Sequence, residues 1–373
     1  MKGLVIWAKS TCRSAMGLYC KLGDAFGVPT KICMLYSKCE NGYTDYRIRG
    51  GMQADEFSDV PKEVVGYGME KGLKVIDDHP GWHHLFCMYH REKNYRDLLI
   101  EVRRRGDHAA LMSESPCVMV SGAKGLAKKV YLKTLLSWRV RRAITAAEFF
   151  VNYSGDDPHP AMEIGWPEGK IIPFGYFMPP VPGSRFVQRT TNRPFEILAS
   201  GSMTWHRGSD VLVKALAILQ KRGVKFHATI TQKGPLAEQI KKIARDAALP
   251  VDFPGFVPLE ELCRLYETCS AYVGAGRHEP WGMRLNEALL CGAPLVVSRG
   301  MGGVQMIDQY GCGVAFENED PVSLADSLER LATDSMLYDR VIKNVELAAR
   351  ACSPEQKARE LARLIRERFP EWR

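Results

Sequence analysis

Short apolar runs rich in Val, Ile, Leu and aromatic residues alternate along the whole chain with stretches in which apolar positions recur every three or four residues. A continuous apolar run is what a strand buried on both faces looks like, and the three-to-four spacing is the stripe of a helix lying against it. GLVIWA, TKICMLY, HLFCMY and HAALMS are the expected strands of the first half, with helices over LYCKLGDAF and over NYRDLLIEVRRRG, the latter ended by Gly106. FEILAS, FHATIT, VDFPGFV and AYVGA are expected strands of the second half. Helices are expected there from about Asp210, capped by Ser209 and stopped near Gly223, over LAEQIKKIARDAA, from Pro258 as a first-turn proline, and over the charged PEQKARELARLIRERF. Strand, helix and strand in repetition read as an α/β protein with parallel sheets covered by helices.

Length divides that pattern in two, because 373 residues exceed the usual size of a single core. Pro173, Pro179, Pro180, Pro182 and Pro194 crowd a stretch with little helical periodicity. Domains are therefore expected over residues 1–183 and 195–352, joined by a linker at 184–194. Composition mainly excludes. With 46% hydrophobic and 25% charged residues the chain is neither disordered nor fibrous. A net charge of +8 falls short of a nucleic-acid footprint. No run reaches the roughly 18 apolar residues of a membrane span, so any membrane contact is expected to be peripheral. The eleven cysteines contain no CxxC pair, so no metal site is expected. The opening MKGLVIWAKS lacks the long apolar run of a signal peptide, and a cytoplasmic location is expected.

The densest chemistry is RHEPWGMRLNEALLCGAPLVVS, from Arg277 to Ser298, which holds two glutamates eight positions apart. AYVGA ends a strand, Pro280 and Gly282 keep Glu279 on a loop, and MRLNEALLC has helical spacing, stopped by Gly292 and Pro294. Both Glu279 and Glu287 then lie at the carboxyl end of a parallel strand, where open α/β sheets bind ligands. The amides of Gly282, Met283 and Arg284 open the helix without side-chain caps and present donors and a positive dipole end to an anion such as a diphosphate. A carboxylate beside phosphate does not attract it; it accepts two hydrogen bonds from vicinal hydroxyls. A sugar, a diphosphate and a ribose laid along one strand–loop–helix unit fit both demands. Taken by spacing alone, the two glutamates are also what a loop charge and a surface helix residue would look like.

The block from Val273 to Ser298 resembles the signature of retaining GT-B glycosyltransferases of family 4, the glycosyl transferases group 1, with their E-x7-E motif. The matching elements are Glu279, Trp281-Gly282, Glu287-Ala288 and Gly292-Ala293-Pro294. SGSMTWHRGSDVLVKAL and GGVQMIDQYGCGVAF are similar to two further segments of that family. The resemblance implies two Rossmann-like domains facing each other across a cleft, with residues 353–373 packing back towards the first domain. It implies a nucleotide-sugar donor linked to UDP or GDP, a glycan or lipid-linked glycan acceptor in bacterial-type surface polysaccharide synthesis, and transfer of a hexose with retained configuration. Glu279, Arg207 and His90 are the implied catalytic residues. Glu287, Gly282, Met283, Arg284, Gly201, Ser202, Gly302 and Gly303 are the implied donor-binding residues, and Arg13, Ser14, Gly17 and Glu114 are candidates for acceptor or phosphate contacts. Two positions depart from the pattern: Ser202 stands where the family carries an Arg, with Arg207 in its Lys place, and Gln305 replaces an expected Glu. No cofactor or metal is expected, since there is no Asp-x-Asp and the family needs none.

Three alternatives keep a footing. A glycosidase also uses two carboxylates, but holds them within about 10 Å; eight helical steps alone separate the α-carbons by roughly 12 Å. A non-catalytic glycosyltransferase-like scaffold at a membrane is made plausible by Ser202, and a same-fold sugar-nucleotide epimerase or hydrolase would share the donor site. Between Ser115 and Ala147 lie Lys124, Lys128, Lys129, Lys133, Arg139, Arg141 and Arg142 with no acidic residue. Leu126, Val130, Leu135, Leu136, Trp138 and Ile144 are interleaved with them. That is the pattern of a helix lying on an anionic membrane surface, and equally of a solvated helix whose apolar side is core.

Overall fold

The computed structural model describes residues 1–9, 13–35, 61–87, 92–116, 122–190 and 194–373. Two compact units are present: the chain up to Pro179 together with Ser353–Arg373, and Pro180–Cys352. In the first, the strands are β1 (Leu4–Ala8), β2 (Thr30–Met34), β3 (Lys62–Val64), β4 (His83–Cys87), β5 (Ala109–Ser113), β6 (Phe150–Asn152) and β7 (Ile171–Pro173). They form a parallel sheet in the order β3-β2-β1-β4-β5-β6-β7. The central strands β1, β4 and β5 are buried at every position, which is why they carry no polar–apolar alternation; β1 is wholly apolar, and the polar positions His83, His84 and Ser113 are buried too. Trp7 stacks on Phe86 at 5.2 Å in the core, and the phenol of Tyr95 donates to the Ala8 carbonyl at 2.6 Å.

The second unit holds β8 (Glu196–Ser200), β9 (His227–Thr231), β10 (Val251–Gly255), β11 (Ala271–Gly274), β12 (Leu295–Ser298) and β13 (Gly313–Phe316). Their order is β10-β9-β8-β11-β12-β13, again parallel. The chain builds outward from β8 in one direction and from β11 in the other, so the switch point, and the crevice it opens, lies at the carboxyl ends of β8 and β11.

Two local expectations, both about helix starts, need correction. The helix Ser209–Lys221 begins one residue earlier than a Ser209 cap requires: its cap is Gly208 in the left-handed region, and Ser209 is already helical. Pro258 is the residue before the helix Leu259–Thr268, not part of its first turn. The segment expected as a linker is anchored in the second unit through Arg189, 3% exposed, whose Nε donates to the Cys269 carbonyl at 2.8 Å. The described cysteines are all free thiols, seven of the eight buried.

Candidate functional site

The two loops at the switch point are stitched together before any ligand arrives. After β8 the chain passes Gly201, with φ of 146°, into a short turn at Trp205–Arg207, and Gly208 then lets it press against the loop after β11. A β-carbon on Gly208 would lie 1.8 Å from the Ala275 carbonyl oxygen, and φ is 67°, so only glycine serves. Across that contact Arg277 clamps Asp210 with both terminal nitrogens, at 2.9 and 2.8 Å, donates to the Trp205 carbonyl at 2.5 Å and stacks 5.2 Å above the Trp205 ring. Asp210 stays more acidic than usual: burial pulls its carboxyl up, but the hydrogen bonds and charge of Arg277 outweigh it.

Glu279 is held by its backbone as a strand-like bridge to Met301, its N–H donating to the Gly300 carbonyl at 3.1 Å and its carbonyl accepting from Gly302 at 3.0 Å. Trp281, 1% exposed, pins the rest of the loop by donating to Asn286 Oδ1 at 2.8 Å. Gly282, at φ of 95°, starts the helix Met283–Leu290 with no side-chain cap. A β-carbon there would strike Met301 Cε at 2.4 Å. Gly282 and Arg284 line the crevice at this uncapped helix start, whereas Met283 does not.

The crevice is lined by Ser200, Gly201, Arg207, Tyr272, Glu279 and Arg284, among others. Arg207 Nη1 lies 2.6 Å from Glu279 Oε2. The pair is close but poorly aligned, and both that Oε2 and Arg207 Nε are buried without a well-formed hydrogen bond. Burial raises the Glu279 carboxyl above the ordinary glutamate range, against the pull of Arg207 and, more weakly, Arg284. Glu287 is a different kind of carboxylate. Only 2% exposed, it sits behind the crevice wall, where Oε2 accepts from Tyr266 Oη at 2.8 Å and from Arg284 at 3.4 Å. Tyr266 Oη is also 3.0 Å from Ser200 Oγ, which connects Glu287 back to the end of β8. Burial, then the Glu287 charge, pushes the Tyr266 phenol well up, so it stays a proton donor.

The remaining candidates fall in several places. The amides of Gly302 and Gly303 are engaged with the carbonyls of Glu279 and Trp281, at 3.0 and 2.9 Å, so these residues brace the Glu279 loop instead of offering open donors. Ser202 is exposed and does not line the crevice. In the first unit Gly17 is buried, and a β-carbon there would lie 2.5 Å from Pro179 Cδ, a packing role and not an open contact. Glu114 follows β5 half-buried, its carbonyl accepting from Ser113 Oγ at 3.1 Å. Arg13 and Ser14 open the helix Arg13–Phe26, but their side chains, and His90 entirely, lie outside the described residues. Arg277, Asp210 and Ser200 lie within the signature stretches and Tyr266 outside them, yet no spacing along the chain marks the four as partners; they are neighbours only in space.

A family model described as "Glycosyl transferases group 1" matches residues 182–347, which contain the whole of this site. The match spans rather less than half of the chain and is a similarity of that segment. The chain is 33% identical over 100 residues to a GDP-mannose-dependent alpha-(1-6)-phosphatidylinositol dimannoside mannosyltransferase of Mycobacterium tuberculosis, covering 26% of either chain. It is 26% identical over 153 residues to an uncharacterized glycosyltransferase, MJ1607, of Methanocaldococcus jannaschii, covering 40% of this chain and 39% of that one. The chain thus matches well under half the length of these curated relatives. In fold it is similar to Anabaena Alr3699/HepE in complex with UDP, with a TM-score of 0.64 at 14% identity over 98% of this chain and 100% of the other. Two parallel-sheet α/β units in this order are the GT-B fold class.

Proposed function

We propose that the protein is a retaining, metal-independent glycosyltransferase that moves a hexose from a UDP- or GDP-sugar to a glycan or lipid-linked glycan in surface polysaccharide synthesis. The observation that carries this reading is the buried Glu279 carboxylate, paired with Arg207 at 2.6 Å at the switch point of the segment similar to glycosyl transferases group 1. The UDP held by Alr3699/HepE and the GDP-mannose dependence of the mycobacterial relative support a nucleotide-sugar donor. Arg207 and the amides of Gly282 and Arg284 meet the leaving diphosphate, doing what a metal ion would otherwise do. Glu279 accepts hydrogen bonds from the hexose hydroxyls; Glu287, buried behind the wall beside Tyr266 and Arg284, meets the ribose only when donor binding opens that wall, and the first-unit candidates His90, Arg13, Ser14 and Glu114 are left to the acceptor side. The acceptor oxygen bonds to the anomeric carbon on the face from which the phosphate oxygen departs, and that oxygen takes the acceptor's proton, so no protein nucleophile is needed.

The test is a panel of UDP- and GDP-hexoses with glycan acceptors, following nucleotide release and the anomeric configuration of the product by NMR. Retained configuration, activity indifferent to EDTA and a fall of roughly 100-fold in turnover for Glu279→Ala are expected. An inverted product, or a Glu279→Ala variant as active as the parent, overturns the reading.

The site of action we propose is the inner face of the membrane in the cytoplasm. No helix of the described residues is long and apolar enough to cross a membrane. The basic segment is a helix, Gly122–Tyr131, a π-helical stretch, Leu132–Leu136, and a further helix, Ser137–Ala146. It leaves Leu126, Val130, Leu135 and Trp138 exposed at 67%, 56%, 63% and 79%, among Lys124, Lys128, Lys129, Lys133, Arg139, Arg141 and Arg142. Exposed apolar side chains flanked by cations are what an anionic bilayer surface takes up. Binding to phosphatidylglycerol-containing vesicles is expected to weaken in raised salt, on charge reversal of Lys128, Lys129 and Lys133, and in Trp138→Ala. Binding unaffected by all three would remove the membrane from the proposal.

A further inference from the structure

The crevice contains an electrostatic problem that its own walls pose. Two carboxylates, Glu279 in the wall and Glu287 just behind it, are matched by two guanidinium groups, Arg207 and Arg284, each paired with one acid at 2.6 and 3.4 Å. The four charges cancel. A nucleoside diphosphate sugar brings two negative charges of its own, and a single cation already committed to Glu279 does not neutralise them at close range. Ser202, the position where the resemblance calls for a second cation, is neutral and turned to solvent. Arg284, by contrast, lines the crevice from the first turn of the uncapped helix, with its side chain 18% exposed.

We propose that the guanidinium of Arg284 is the second cation for the donor diphosphate, and that donor binding exchanges both internal arginine–glutamate pairs for arginine–phosphate contacts, freeing the carboxylates for the donor's hydroxyls. The proposal rests on the nucleotide-sugar reading above. Neither internal pair is a well-aligned fork, although the Arg207–Glu279 pair is close at 2.6 Å. Glu279 Oε2 and Arg207 Nε lack aligned hydrogen bonds, and Arg284 reaches Glu287 only at 3.4 Å, whereas a guanidinium fork meets phosphate with two parallel short bonds. Glu287 is not orphaned when Arg284 turns away, because Tyr266 keeps its 2.8 Å hydrogen bond to Oε2. Arg284 also lies in the first turn of the helix Met283–Leu290, whose uncapped start lines the same crevice at Gly282, so the dipole's positive end adds to its attraction for an anion. The exchange couples recognition of the diphosphate to recognition of sugar and ribose: a ligand without the second phosphate leaves the carboxylates paired and unavailable.

Titration calorimetry of the full chain with UDP, GDP and ADP against UMP, GMP and AMP reads the second phosphate directly. The parent protein is expected to prefer the diphosphate of its own base. Arg284→Gln is expected to lose on the order of tenfold in diphosphate affinity with a much smaller change for the monophosphate, collapsing the preference. Adding Ser202→Arg in that background is expected to restore it, which a purely structural role for Arg284 would not allow. Arg284→Lys, which keeps the charge beside Glu287 but loses the fork, covers the case of a glutamine variant that does not fold, and is expected to fall in between. An unchanged preference in the variants, or an equal loss for mono- and diphosphates, overturns the role of Arg284 alone. A parent protein that binds none of the diphosphates overturns the donor reading and this inference with it.

Discussion

Two glutamates eight positions apart occupy two different media, and their chemistry follows from that. Glu279 is raised by burial above the ordinary 4.5, with Arg207 pulling the other way. A group that must be ionised to accept hydroxyl hydrogen bonds then gains function as pH rises through its own elevated value. The acid limb of UDP- or GDP-hexose binding is expected above the ordinary glutamate range, and Glu279→Gln is expected to remove that limb while weakening binding throughout; a limb unchanged in the variant would locate it elsewhere. Arg277 makes the opposite case, a buried charge that is structural. Removing it strands Asp210, so Arg277→Ala is expected to cost about 3 kcal/mol in urea unfolding at neutral pH. The folded Asp210 value is depressed, so its contribution is full above the ordinary 3.8 and is lost as pH falls through the lower folded value. That acid dependence is expected to fade in the alanine variant. The motif order around Glu279 was readable from the chain. Arg277 stood two positions before it without a signal, since its partner Asp210 is 67 residues away.

At the scale of elements, periodicity reports type well and phase poorly. The strands at the switch point and the helix Met283–Leu290 lie where apolar runs and glycines placed them, whereas the sorting of the basic helix could not be read. Leu132, Leu136, Val140 and Ile144 follow a strict four-residue spacing, and on an α-helix each such step advances about 40° around the axis. The π-helical stretch Leu132–Leu136 takes up that drift, and all four are buried, at 5%, 3%, 0% and 6% exposed. Leu136 and Ile144 thereby go to the core while Leu126, Leu135 and Trp138 remain outside. Close approach between elements is equally invisible in a chain: Gly208 looks like an ordinary loop glycine until Ala275 is set against it. Gly208→Ala is expected to lower stability by about 2 kcal/mol or more and to weaken donor binding by displacing Arg207. A variant with parental unfolding midpoint would show that the two loops separate freely.

For the molecule as a whole, the first unit is not finished until the chain has passed through the second and returned. The helix Pro354–Arg368 packs on Arg13–Phe26, and beyond it Trp372, 0% exposed, donates to Glu148 Oε2 at 2.8 Å and meets the His83 ring edge-on at 4.9 Å. Glu148 is gripped in turn by Arg103 and His108, each at 2.7 Å. Trp372→Ala is expected to cost about 3 kcal/mol or more of stability in the first unit, read by urea unfolding. Within the same sheet His84 is wholly buried, accepting from Trp7 at 3.0 Å, and burial, with His83 and His79 nearby, lowers it from 6.5 to about 3. A base depressed on folding holds its full stability above the unfolded value and loses it as pH falls below 6.5. The expected loss is about 2 kcal/mol at pH 5, flattened in His84→Gln; a melting temperature indifferent to pH between 7 and 5 would mean that His84 is protonated in place.

The chain alone determined the class of fold, the position of the switch-point loop and the identity of the residues that enter it, because apolar periodicity, glycines and local spacing act over a turn or two of backbone. Only the tertiary structure decided which carboxylate faces the crevice and which lies behind it, that the Gly302 and Gly303 amides are already engaged, and which arginine is spent on Asp210 and which stands beside a glutamate in the site. Those outcomes depend on distances between segments far apart along the chain, and burial and charge pairing exist only once such segments meet.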